Sequence, residues 1–102
     1  MVIPGPRRVS CTLCGTRFTM VLSAMVNPAD VLCDACILDL WGSQETDDAL
    51  RARCEARVPR DLGMSADMVA DAILQRVVEL RAIAHTRGEV EQLLAQRAGS
   101  GR

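Results

Sequence analysis

Two cysteine pairs, Cys11-x-x-Cys14 and Cys33-x-x-Cys36, stand eighteen residues apart in a chain of 102 residues. A C-x-x-C turn aims two sulfurs at one point, and two such turns supply the four thiolates of a tetrahedral metal site. The segment between the pairs is long enough for a hairpin that brings them together. A chain this short buries little apolar surface for its size, and its only aromatics are Phe18 and Trp41. Small domains with thin cores commonly need a staple. Structural zinc supplies about 10–16 kcal/mol of apparent folding free energy in finger peptides. The expected metal ligands are therefore Cys11, Cys14, Cys33 and Cys36, and the expected cofactor is structural Zn2+. With all four positions filled by sulfur, no coordination site is left to activate water, which argues against metal catalysis.

Other uses of the four thiols are less suited to the pattern. Iron in a rubredoxin-like site shares the geometry, but such sites sit among aromatics between two Gly-bearing knuckles. Here only Cys14 is followed by glycine, Gly15, whereas Ile37 follows Cys36. A redox dithiol needs one pair and leaves the other idle. Paired C-x-x-C turns without a secretory leader favour metal over disulfides, so a reducing cytoplasm is the expected location. The start, Met-Val-Ile-Pro-Gly-Pro-Arg-Arg, has no apolar leader core. The longest apolar stretch, Phe18 to Val26, is far short of the about 20 residues that a membrane span needs.

The chain divides by composition. Residues 1–9, with Pro4 and Pro6, read as a flexible lead. Residues 10–42 form the metal module. Gly15 suits a knuckle that requires positive φ, Phe18 to Leu22 is rich in β-formers, and Asn27-Pro28-Ala29-Asp30 is a turn signal. Ile37 to Trp41 has helical composition and stops at Gly42, so the second pair opens a helix with Asp34 in its first turn. The fold class expected is a small α+β zinc-binding module, with a treble-clef-like knuckle, hairpin and helix, followed by an α-helical region over 43–98. Three helices are expected there, at about 43–58, 65–87 and 89–98, with a flexible tail at 99–102. Ser43 and Ser65 are the expected N-caps, Pro59 ends the first helix, and Gly88 is the expected stop of the second.

The stretch Cys11-Thr-Leu-Cys14-Gly15, followed by Val31-Leu32-Cys33-Asp34-Ala35-Cys36, resembles the four-cysteine finger of GATA-type proteins. It is also similar to the finger of the DksA/TraR group, small bacterial and phage proteins that act on RNA polymerase. The resemblance covers about residues 10–41. It implies a treble-clef zinc finger, and a function in transcription regulation on DNA or on RNA polymerase.

The residues themselves point elsewhere for function. Net charge is −1, and residues 1–42 balance three Arg against three Asp, so there is no bulk attraction to nucleic acid. The hairpin stretch 18–26 is strongly apolar. Ala66, Ala70, Ile73, Val77, Leu80 and Ala84 form a heptad-like stripe, with Val78 outside it. This stripe is read either as core or as a surface for self-association or a partner. Cys54, on the Leu50/Val58 stripe, reads as a buried small hydrophobe, and His85 as a partner of a helix end. No nucleophile–base set, phosphate-cradling loop or isolated carboxylate pair is present. The expectation is a non-enzymatic, zinc-stabilised adaptor or regulatory protein with no small-molecule substrate and no membrane attachment. It would act by protein–protein interaction or oligomerisation through helix 65–84 and hairpin 18–26. The alternative is a nucleic-acid-binding transcription regulator.

Overall fold

The computed structural model describes residues 5–22 and 27–97. Strands β1 (Gly5–Ser10) and β2 (Arg17–Leu22) pair antiparallel, with Ser10 opposite Arg17, Val9 opposite Phe18 and Arg7 opposite Met20. A 3-10 turn, Pro28–Asp30, leads to helix α1 (Asp34–Trp41). Helix α2 (Asp47–Arg57), a second 3-10 turn (Arg60–Leu62), α3 (Ala66–Ile83) and α4 (Arg87–Arg97) complete the chain. The result is a small α+β fold, with one two-stranded hairpin and four α-helices among the described residues.

The expected flexible lead is corrected over residues 5–9, which form β1. Prolines exclude helix but are compatible with an edge strand, and in a two-stranded sheet both strands are edges. The hairpin therefore surrounds the first cysteine pair instead of lying wholly after it. Of the apolar stretch 18–26, residues 18–22 belong to β2. Residues 1–4, 23–26 and 98–102, the tail included, lie outside the described residues.

The helices start and stop where local chemistry dictates. Helix α2 begins three residues later than the Ser43 cap implied. Thr46 is its N-cap, its hydroxyl accepting the Ala49 N–H at 3.2 Å, while Ser43 is engaged with Glu45. Val58 is extended before Pro59 and closes α2. Gly88 does not stop α3; it lies in the first turn of α4. The break falls at Ala84–Thr86, where Glu89 accepts the N–H groups of His85 and Thr86 and the Thr86 hydroxyl accepts the Glu89 N–H. Thr86-x-x-Glu89 is thus a capping box. His85 lies in this break, beyond the end of α3.

One apolar core joins the metal module to the helices. Leu13, Ala29 and Leu32 are contiguous with Leu40, Leu50, Cys54, Val69, Ile73 and Val77. The α3 stripe faces inward: Ala70, Ile73, Val77 and Ala84 are buried, and Ala66 and Leu80 partly so. The apolar side chains that α3 presents to water are instead Met68, Val78 and Ile83, at 62%, 48% and 68% exposure. A smaller cluster of Ala84, Val90 and Leu94 packs on Leu38 and Trp41.

The C-terminal end of α1 is tied to α3. Arg81 donates from Nε to the Trp41 carbonyl at 3.0 Å, and from Nη2 to the carbonyls of Leu40 at 3.0 Å and Ser43 at 2.9 Å. Carbonyls at a helix C-terminus have no i+4 partner, although that of Leu40 also accepts the Ser43 N–H at 3.3 Å, and a guanidinium there complements the helix dipole. Trp41 returns the connection, donating Nε1–H to the Ala84 carbonyl at 3.0 Å.

Replacing Leu50, which is fully buried, with Ala is expected to lower stability by about 2–5 kcal/mol. Val78→Ala, at a half-exposed position, should change it by less than about 0.5 kcal/mol. Urea unfolding of the metal-loaded protein measures both, and equal losses would mean the face of α3 is assigned wrongly.

Candidate metal centre

The first cysteine pair sits on the turn that joins the two strands. Cys11 N–H donates to the Thr16 carbonyl at 2.8 Å, and Gly15 N–H returns to the Cys11 carbonyl at 2.9 Å. Gly15 has φ of +78°, a conformation that costs a residue with a Cβ but not glycine. This knuckle turns Cys11 and Cys14 to the same side. The second pair opens α1, with Cys33 at the N-cap and the Ile37 N–H bonded to the Cys33 carbonyl at 3.0 Å. The Cys36 backbone N–H favours anionic sulfur at Cys33, but burial outweighs it.

Thr12 joins the two turns, a role that spacing alone did not reveal. It is 7% exposed. Its N–H donates to the Val31 carbonyl at 2.8 Å, and its hydroxyl donates to the Pro28 carbonyl at 2.8 Å. Both hydrogen bonds fix the knuckle against the segment that leads into Cys33. The sequence hint was slight: a hydroxyl residue inside a knuckle, opposite the Pro28 turn.

All four expected ligands converge. The sulfurs of Cys11, Cys14, Cys33 and Cys36 lie within 4.8 Å of one another. Cys11 and Cys36 are 3.7 Å apart, and Cys14 and Cys33 are 3.5 Å apart. A zinc–sulfur bond of about 2.3 Å gives tetrahedral edges of about 3.8 Å, whereas a disulfide needs about 2.05 Å. All four thiols are free, and the cluster has the size of an ion-centred tetrahedron. Four soft donors suit a structural metal such as zinc. Cys54 takes no part; it is buried in the helical core, where desolvation pushes its thiol pKa up.

The four positions differ electrostatically. Cys14 is exposed, with Thr16 Oγ1 3.1 Å from its sulfur. Hydrogen bonds from the side chain and backbone of Thr16 lower its pKa to about 6. Burial pushes the Cys33 and Cys36 thiols up from the ordinary value. Before metal binding, Cys14 is thus the ready thiolate at neutral pH, and the helix pair holds its protons.

Comparison with known proteins found no matching family, no similar curated protein and no similar solved structure. Among the described residues, no helix is long and apolar enough to cross a membrane.

Two predictions concern this centre. Cys33→Ser should weaken metal binding by more than the about 10–100-fold typical of changes around a site, and should lower the melting temperature with it. Metal retained after desalting at wild-type stoichiometry would contradict this. Metal binding at pH 7 should release at least the protons of Cys33 and Cys36, whose raised pKa values keep them protonated there. Apparent affinity should therefore rise with pH from 6 to 8. Calorimetry in buffers of different ionisation enthalpy measures the release, and a value near zero would show the helix pair ionised beforehand.

Proposed function

We propose that the chain is a non-enzymatic adaptor or regulatory protein built on a structural zinc centre of treble-clef type and acting through protein–protein contacts. The knuckle on the hairpin turn and the ligand pair at a helix start support the treble-clef reading. Four thiolates around one ion support a structural, non-catalytic metal. Free thiols in this arrangement fit a reducing cytoplasm.

The observation that carries the adaptor reading is an open apolar groove where the metal module meets the helices. Its volume is about 200 Å3, and Leu32, Ile37, Val77, Leu80, Leu93 and Leu94 line it. The Asp30–Arg76 ion pair, at 2.7 Å, stands among its lining residues. A groove of this kind accepts an apolar side chain from a partner, as interface anchors do.

Affinity purification from cells that naturally express the chain, followed by mass spectrometry, tests this. A stoichiometric protein partner should survive nuclease treatment and high salt, and Leu93→Glu should abolish its capture while metal content stays at wild-type level. Recovery of only nuclease-sensitive material would sink the adaptor reading.

A second reading, a transcription regulator that touches nucleic acid, is favoured by one observation. Arg7, Arg8 and Arg17 are exposed on a hairpin whose residues 5–22 include no acid.

A further inference from the structure

The charge balance of residues 1–42 conceals a separation of the two signs. Its three arginines, Arg7, Arg8 and Arg17, all lie on the hairpin. Its three aspartates all lie on the 3-10 turn and α1, as Asp30, Asp34 and Asp39. Two of those carboxylates are engaged by arginines from the helical region: Asp30 with Arg76 at 2.7 Å and Asp39 with Arg53 at 2.9 Å. Among the described residues, no carboxylate pairs with the hairpin arginines, in contrast to Arg51, Arg53, Arg76 and Arg87. Residues 1–4 and 23–26, which flank the strands, bring no acid.

Strand register decides which side chains share a face. Arg8 opposes Thr19, and Ser10 opposes Arg17. Residues directly opposite one another in a sheet share a face, and alternate residues along a strand do too. Arg8, Ser10, Arg17 and Thr19 are therefore together, and all four are exposed. The other face carries Val9, Phe18 and Met20, which are half-buried or buried, and the exposed Arg7 opposite Met20. Arg8 and Arg17 are diagonal neighbours, about 7–8 Å apart at the backbone.

We propose that this outer hairpin face contacts the phosphodiester backbone of a double-stranded nucleic acid, with Arg8 and Arg17 meeting phosphates and Ser10 and Thr19 donating hydroxyl hydrogen bonds. The proposal rests on the second reading above. Arginine forks and hydroxyls are the groups that bind backbone phosphate. The face holds no aromatic ring, so it lacks the stacking platform that single strands use. Among the described residues, its one exposed large apolar residue is Val21, too little for insertion into a lipid interface. Two phosphate contacts give modest affinity and position the protein without reading bases.

The test is fluorescence anisotropy of the zinc-loaded protein with labelled duplex DNA and duplex RNA over a range of salt. Arg8→Gln/Arg17→Gln should reduce the steepness of log K against log salt by about 2 and weaken binding about tenfold or more at low salt. Arg57→Gln/Arg60→Gln, at the end of α2 and in the second 3-10 turn, should leave the slope unchanged. Metal content and circular dichroism establish that each variant is folded. The DNA and RNA arms distinguish the two sources of the same backbone chemistry. Duplex binding of unchanged slope in the Arg8/Arg17 variant would overturn this surface yet keep the nucleic-acid reading. A wild-type protein that binds neither duplex would overturn both. Equal or tighter binding to phosphatidylserine vesicles would overturn the proposal in favour of a lipid surface.

Discussion

Helix α1 is eight residues long, too short to persist on its own in water, and it is held at both ends. At its N-terminus, Cys33 and Cys36 join the knuckle thiols around one point. At its C-terminus, Arg81 fills three carbonyls and Trp41 reaches back to Ala84. The metal module and the helical layer therefore share this helix as a common part. The cysteine cluster and α3 are thus joined by one element about two turns long.

The apolar core follows from the same connection. Leu13 and Leu32, on either side of the cysteine turns, belong to the cluster that includes Leu50 and Ile73. A four-thiolate finger alone has little to bury; here the helices cover it, and their own stripe is used in doing so. The apolar surface remaining for other molecules is the groove between α1, α3 and α4 and the exposed side chains Met68, Val78 and Ile83. The polar surface is divided as well. Among the described residues, four arginines of the helical region, Arg51, Arg53, Arg76 and Arg87, pair with carboxylates, and those of the hairpin do not.

Much of the local structure was legible before the fold was known. Cysteine spacing named the four converging sulfurs, Gly15 marked the positive-φ knuckle, and Pro59 marked the end of α2. Two misreadings came from choosing between competing signals. Gly88 reads as a stop, but Thr86-x-x-Glu89 is a start signal, and a glycine is tolerated in a first turn. Ser43 reads as a cap, but it is engaged with Glu45, and Thr46 caps α2 instead. Pro4 and Pro6 point to a flexible, disordered or extended lead and do not by themselves reveal β1, because edge strands in a two-stranded sheet carry only a weak local signal.

By itself the sequence determined which four cysteines converge and that a helical region follows them, because both depend on spacing along a chain of fixed geometry. Only the tertiary structure decided what depends on distance across space. It joined Thr12 to Val31, closed α1 with Arg81, opened the groove beside Leu80, and separated the arginines of the hairpin from the aspartates of α1. A count of charges along the chain is blind to that last feature, since pairing depends on which side chains come within about 4 Å, and that distance is set by packing.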